Sequence, residues 1–299
     1  MSEPSVSRSL IARIFTSQEE VRLRSGWRLL FHTILFLTLL LVTTGVLFAL
    51  SLLVVQISID SPFLLSLATF IAVLLSTWFA RRFFDHRDLP SLGLRRNPYA
   101  VKDLLFGFLL TALLMGGLFV IFIALGWTTF DLWAWENQPL STVAVGTLGS
   151  LAAFILVGFS EEILSRGYQL QNLIEGLNLP LALFLSSAVF AFMHLGNPHS
   201  SAISTLGLLA AGYFLAYGWL RTGQLWLSIG LHIGWNFFEG TVFGFAVSGT
   251  ESFRLIHHTV AGPDLITGGS FGPEAGLIIL PLMLIGAWLI NRYTYKRQS

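Results

Sequence analysis

The sequence predicts an all-α fold, a polytopic membrane bundle of about eight transmembrane helices. Hydrophobic residues make up 54% of the chain and charged residues only 11%, whereas soluble domains are about 25% charged. The mean hydropathy is +0.73. Apolar runs close to the length of about 20 residues that crosses a hydrocarbon core recur along nearly the whole chain. Because this composition leaves too little polar surface for a water-soluble fold, we expect an integral, multi-pass membrane protein.

Residues 1–26 form a basic segment that we expect on the cytoplasmic side. Its apolar residues recur at helical spacing between arginines, which is typical of an amphipathic helix in the membrane interface. A disordered basic tail is the alternative. The apolar residues are Leu10, Ile11, Ile14 and Phe15. The apolar run that follows, about Trp27 to Ile57, is too long for the core of a signal peptide, so we expect it to remain as the first span.

The predicted spans divide the rest of the chain into three regions. Residues 27–142 hold the first three membrane helices, residues 143–247 a membrane core with ionisable side chains, and residues 248–299 a non-cytoplasmic loop and the last helix. The spans are about Trp27–Ile57, Pro62–Ala80, Leu104–Trp127, Val143–Tyr168, Pro180–His194, Ala202–Leu220, Leu225–Phe245 and Ala275–Ile290. No internal repeat is evident, so the sequence gives no support for an inverted-repeat transporter.

The positions of arginine and lysine predict the orientation. These residues cluster before the first span, between the second and third spans, and after the last span. Since cytoplasmic loops carry the excess of positive charge, we expect both termini in the cytoplasm, in the plasma membrane of a prokaryote. The net charge of +1 gives no reason to expect a nucleic acid partner. The absence of cysteine excludes disulfides and thiolate chemistry.

Polar side chains inside the predicted spans are the candidates for function. An ionisable group there costs about 2.5–3.5 kcal/mol to insert, so it needs a partner or a wet cavity. The candidates are Glu161, Glu162 and Arg166 on span four, His194 on span five, and His232, Asn236 and Glu239 on span seven. The bilayer surrounds them, so any substrate must reach them from the membrane or through a cavity.

Span four carries two adjacent acids with different surroundings. Glu162 and Arg166 stand four residues apart and are neighbours on one helical face, which predicts a supporting ion pair. Glu161 points about 100° away around the helix. An unpaired carboxylate among apolar side chains is disfavoured as an ion, a property that suits a general base. We therefore take Glu161 as the candidate base; a protonated carboxyl bonded to a neighbouring helix is the alternative.

The histidines complete the candidate site. His232 and Asn236 share one helical face, and their N–H groups could stabilise an oxyanion or line an ion path; Glu239 continues that face at i+7. His194 precedes a Gly-Asn-Pro break, so its helix should end inside the membrane after about 22 Å. Irregular backbone at that depth predicts a hydrated cavity. There Glu161 and His194 could activate one water.

These residues fall in three motifs that together resemble the CPBP intramembrane proteases, which include the CAAX prenyl endopeptidases and bacterial Abi proteins. Glu161–Arg166 matches EExxxR, Phe190–His194 matches FxxxH, and His232–Asn236 matches HxxxN, in the family's order. The resemblance implies an endopeptidase acting on a membrane-associated peptide or protein. It implies that Glu161 and His194 activate water and that His232 and Asn236 bind the oxyanion, with support from Glu162 and Arg166. Glu239 lies outside the motifs and has only a possible role.

Some alternatives stay open. We expect no cofactor, but family members have also been described as metalloproteases, so a zinc site of Glu161, His194 and His232 is the alternative. A proton-coupled transporter could use Glu161, Glu162 and Glu239 as a relay. A non-catalytic membrane scaffold or immunity protein could keep the same fold and bind a partner.

Overall fold

The computed structural model describes residues 15–16, 22–53 and 62–297. The predicted amphipathic helix near the N-terminus lies outside these residues, apart from Phe15. Within the described parts the chain is mainly helical, and this supports the predicted all-α membrane fold.

Each predicted span contains a helix within the residues that the structure describes. The helices are α1 (Ser25–Leu53), α2 (Pro62–Phe83), α3 (Ala100–Ala124), α4 (Leu140–Glu162), α5 (Leu170–Gly176), α6 (Leu179–Met193), α7 (Ala202–Thr222), α8 (Trp226–Asn236) and α9 (Ile279–Thr294). A π-helical turn at Ile163–Gln169 joins α4 to α5, and another at Phe237–Val242 extends α8. Single helical turns occur at Leu89–Leu92, Ala134–Asn137, Asp264–Thr267, Gly269–Phe271, Pro273–Ala275 and Tyr295–Arg297.

The predicted count of about eight transmembrane helices is not supported. In the described parts of the chain, five helical stretches are long and apolar enough to cross a membrane: Ser25–Leu52, Phe63–Phe83, Ala100–Ala124, Leu140–Gly176 and Ala202–Thr222. The helices α6, α8 and α9 have 15, 11 and 16 residues. At about 1.5 Å per residue the longest of these reaches about 24 Å, short of a core of about 30 Å. The protein is nevertheless an integral, multi-pass membrane protein.

A two-stranded antiparallel sheet lies at one end of the bundle, and the sequence reading did not predict it. Strand β1 (Thr128–Trp133) follows α3 and pairs with β2 (Ile256–Val260) from the loop before α9. Both strands contain the β-branched and aromatic residues that favour strands. The pair joins the connection after α3 to the loop that the sequence predicts on the non-cytoplasmic side.

Ion pairs gather at the other end of the bundle, which we call the arginine end. They are Arg28–Asp85, Arg28–Glu175, Arg81–Asp85, Arg87–Glu175 and Arg297–Asp103. They join the start of α1, the end of α2, the start of α3, the end of α5 and the turn after α9. The three basic clusters therefore share one end, as the sequence predicted, and α3 separates that end from the sheet.

Helix α8 lies among the other helices and is buried from Leu227 to Asn236. Its glycines allow close helix contacts. A Cβ atom at Gly230 would lie 2.1 Å from the Leu104 carbonyl oxygen on α3, and one at Gly158 of α4 would lie 2.6 Å from Cγ1 of Ile233. Small residues at such crossings let helix backbones approach each other. The contact at Gly158 brings the acidic end of α4 against the part of α8 that carries His232.

Candidate active site

A cavity of about 190 Å³ lies among α4, α6, α7 and α8, and it has room for several waters. Glu161, His194, His232 and Asn236 all line it. The structure thus brings together the four residues predicted as catalytic, from α4, the end of α6, and α8.

Glu162 is fully buried beside the cavity and makes the ion pair that its spacing predicted. Its Oε1 accepts hydrogen bonds from Arg166 Nη1 and from His232 Nδ1, both at 2.8 Å. Arg166 Nη2 donates to the carbonyl oxygen of Gly212 on α7 at 3.0 Å. This carboxylate and guanidinium therefore connect α4, α7 and α8 around the cavity, in the supporting place expected for them.

Glu162 fixes the tautomer of His232. A carboxylate only accepts hydrogen bonds, so His232 Nδ1 must carry a hydrogen. The other ring nitrogen, Nε2, faces Glu161 and lies 3.8 Å from its Oε2. Nε2 can donate only when the ring is an imidazolium. With Glu161 and Glu162 ionised and Arg166 positive, that imidazolium would bring the formal charge of the cluster to zero.

His194 lies at the end of α6, as predicted, because the helix stops at Met193. Its Nδ1 donates to the carbonyl oxygen of Phe190 at 2.8 Å, so in the neutral ring the lone pair is on Nε2. Nε2 lies 4.0 Å from Glu161 Oε2. This distance is too long for a direct hydrogen bond, but one water can bridge the two atoms.

Phe190 links Arg166 to His194, a role that sequence reasoning did not assign. Its ring centre lies 4.4 Å from Cζ of Arg166, a cation–π contact worth about 0.5–2 kcal/mol. Its carbonyl oxygen orients His194. The Phe190 ring of the FxxxH motif therefore packs on Arg166, while its backbone carbonyl oxygen accepts the hydrogen bond from His194.

Glu239 does not lie where α-helical spacing predicted. The π turn begins directly after Asn236. The α-helical rule that residues i and i+7 share one face therefore does not apply to His232 and Glu239. Glu239 is fully buried and is not among the residues that line the cavity. Neither of its carboxyl oxygens, nor the indole Nε1 of the nearby residue Trp235, has a hydrogen-bond partner in the described parts of the chain.

The donor atoms of the alternative zinc site lie farther apart than the ligands of a bound zinc. Two ligands of a tetrahedral zinc, each at about 2.0–2.1 Å, lie about 3.4 Å apart. The Nε2 atoms of His194 and His232 lie 4.0 and 3.8 Å from Glu161 Oε2. Over residues 15–16, 22–53 and 62–297, no group of three or more His, Asp or Glu side chains could hold a metal ion.

Loop residues that sequence reasoning did not single out complete the cavity, among them Ser248, Thr250 and Glu274. Glu274 is 5% exposed, and its Oε2 accepts hydrogen bonds from Ser248 N at 2.8 Å and from Ser248 Oγ. Asn197, in the break after His194, donates to the Ser248 carbonyl oxygen at 2.8 Å. The available sequence signal was a single carboxylate, Glu274, directly before the last apolar run.

An apolar groove of about 590 Å³ lies beside the cavity, between α2, α4 and residues 250–253. Phe154, Val157 and Thr250 line both the groove and the cavity. Small residues of α4, including Gly146 and Gly149, leave the space that the groove occupies. The groove gives the cavity an apolar neighbour of about three times its volume.

Comparison with known proteins agrees with this geometry. Residues 142–238 match the family model described as Rce1-like, type II CAAX prenyl endopeptidase. The match covers about a third of the chain and contains all three motifs. No curated protein and no solved structure matches the chain. The resemblance noted in the sequence is confirmed over residues 142–238, which are similar to the CAAX-type proteases of the CPBP/Abi family.

Proposed function

We propose that the protein is a glutamate-type intramembrane endopeptidase that hydrolyses a peptide bond of a membrane-associated peptide or protein. One observation carries the proposal: the Glu161 carboxylate faces two imidazole nitrogens in a cavity, and its Oε2 has no hydrogen-bond partner in the described residues. Glu162, its neighbour in sequence, already accepts hydrogen bonds from Arg166 and His232. Of the two acids, Glu161 is therefore the one available to a substrate water.

The nucleophile is a water held between Glu161 and His194. Both facing atoms, Glu161 Oε2 and the neutral His194 Nε2, are hydrogen-bond acceptors. A water that donates one hydrogen to each keeps its oxygen lone pairs free to attack a carbonyl carbon. Glu161 takes the proton as the C–O bond forms, a general-base step that contributes about 10²–10⁴-fold to the rate.

His232 and Asn236 bind the oxyanion that forms on the carbonyl oxygen. The donors are the Nε2–H of the His232 imidazolium and the side-chain amide of Asn236. Each such donor contributes about 10²–10³-fold. The C–N bond then breaks as Glu161 returns its proton to the nitrogen, giving a carboxylic acid and an amine.

The substrate is expected to have an apolar part. A cavity of about 190 Å³ is too small for a peptide, and the groove of about 590 Å³ that shares residues with it is apolar on most sides. We also propose that the arginine end faces the cytoplasm of a prokaryotic cell, with both termini there. Because the chain has no cysteine, labelling of Ser270→Cys and Arg96→Cys with a membrane-impermeant maleimide in intact cells tests this; labelling of Arg96→Cys would contradict it.

The decisive experiment compares membrane peptides from cells that carry the wild type or Glu161→Gln. New peptide termini present only with the wild type would identify activity and substrate together. The matched control is Glu175→Gln, the same chemical change at the arginine end, which should preserve those termini. Identical termini in all strains, with the protein folded and expressed, would contradict a protease.

Two further measurements separate the alternatives. Turnover that persists after treatment with 1,10-phenanthroline supports metal-free chemistry, whereas loss that is restored by Zn²⁺ would contradict it. A proton-coupled transporter would instead give substrate-dependent flux in proteoliposomes without peptide cleavage. A scaffold would keep its cellular function after His194→Ala.

A further inference from the structure

We propose that Glu274 binds the amine side of the scissile bond, accepting a hydrogen bond from the peptide N–H and then from the departing nitrogen. The inference rests on the proposed function and adds one substrate-binding residue to it. Glu274 lies beyond residue 238, where the match to the family ends. It nevertheless lines the same cavity as Glu161 and His194.

The surroundings of Glu274 are those of a built site. The residue is 5% exposed, and a buried carboxylate needs hydrogen-bond donors to offset the loss of water. In the described residues the donors to this carboxylate are Ser248 N and Ser248 Oγ, and both bond to Oε2. Oε1 is left as an acceptor without a protein donor, in a side chain that lines the cavity.

The backbone around Ser248 holds Glu274 in place. Ser248 has φ of 47° and Gly249 has φ of 81°, and a Cβ at Gly249 would lie 2.0 Å from the Pro198 carbonyl oxygen. This turn therefore packs closely against the non-helical segment that follows His194. Asn197 adds a hydrogen bond to the Ser248 carbonyl oxygen at 2.8 Å. Glu274 is thus fixed relative to the histidine that binds the water.

The N–H of the scissile peptide bond needs a hydrogen-bond acceptor in the cavity, and Glu274 can supply one. The proposed mechanism assigns acceptors to the water, donors to the carbonyl oxygen and a proton from Glu161 to the nitrogen, but no group that accepts a hydrogen bond from the peptide N–H. A peptide nitrogen carries a hydrogen, and the amine that leaves carries more than one. In its ionised form the Glu274 carboxylate only accepts hydrogen bonds, and that form is complementary to the nitrogen and not to the carbonyl oxygen.

The test compares an amide with an ester. The probes are a quenched fluorogenic peptide with an apolar anchor, built on the cleavage site that the comparison of membrane peptides identifies, and its depsipeptide, with oxygen in place of the N–H at the bond cut. In Glu274→Gln the amide oxygen must remain on Ser248 N, so the NH₂ group faces the cavity and opposes the substrate N–H. We expect the peptide-to-depsipeptide ratio of kcat/KM to fall by about tenfold.

The matched control is Ser248→Ala, which removes a donor to Glu274 but keeps the carboxylate. Its ratio should stay within about twofold of the wild type. A role for Glu274 only in holding the loop predicts that both substrates slow together, and an unchanged ratio in Glu274→Gln would overturn the proposal. If Glu274→Gln does not fold, the same ratio is measured in Glu274→Asp. Its shorter side chain cannot reach both Ser248 and the substrate, so the ratio should also fall, and an unchanged ratio would overturn the proposal. A wild type that cleaves neither probe would overturn the proposed function as well.

Discussion

The arginine end and the cavity both bury charged side chains, but they treat them differently. At the arginine end Arg28 and Arg81 share Asp85, and Arg28 also reaches Glu175. In the cavity Glu161 faces two imidazoles at distances too long for hydrogen bonds. Charges that are satisfied by protein stabilise the fold, whereas charges left open are available to water and substrate. Substitutions of paired and unpaired side chains test this difference between the two regions.

The largest expected effect follows removal of the open carboxylate. Glu161→Gln should lower turnover by about 10³-fold, since it removes the general base, while thermal unfolding in detergent stays near that of the wild type. Glu175→Gln is the matched change in a paired carboxylate. It should lower the unfolding temperature and preserve turnover per folded molecule; comparable loss of turnover in both variants would remove the distinction.

The next effect is on stability at the arginine end. Asp85→Asn leaves Arg28 and Arg81 facing a neutral amide, and breaking a buried pair costs about 3 kcal/mol or more. Denaturant unfolding in micelles measures this cost. Turnover of the protein that remains folded should not change, and a specific loss of kcat would show that the ion pairs at this end serve the chemistry directly.

A smaller effect is expected for one oxyanion donor. Asn236→Leu should lower kcat by about 10²-fold with little change in KM, because the hydrogen bond to oxygen forms mainly in the transition state. Asn172→Leu is the matched control: Asn172 is buried but donates to the Tyr168 carbonyl oxygen at 2.9 Å, so its loss should affect stability and not kcat. A raised KM with unchanged kcat in Asn236→Leu would point to ordinary substrate binding.

The smallest effect belongs to a surface pair. Glu251 and Arg254 form an ion pair in which the Glu251 side chain is 78% exposed, and exposed pairs contribute less than about 1 kcal/mol. Arg254→Gln should therefore leave denaturant unfolding almost unchanged. A loss of unfolding free energy similar to that of Asp85→Asn would mean that burial does not determine how much an ion pair contributes to stability.

Local helical geometry made part of the site predictable. Glu162 and Arg166, like His232 and Asn236, are four residues apart on one helix, and that spacing alone makes them neighbours. The end of α6 at His194 followed from the Gly-Asn-Pro break. Glu239 was placed wrongly because the same α-helical spacing was applied across a π turn, whose extra residue per turn has no reliable sequence signal.

What the sequence by itself determined is the membrane class of the chain, the course of its helices and the three motifs, because hydropathy and helical period act over short distances. Only the tertiary structure decided that Glu162 also bonds His232, that β1 meets β2, and that Glu274 reaches the cavity of Glu161. Those relations join residues far apart in the chain. They depend on close helix crossings such as that of Gly158 with Ile233, which no local pattern specifies.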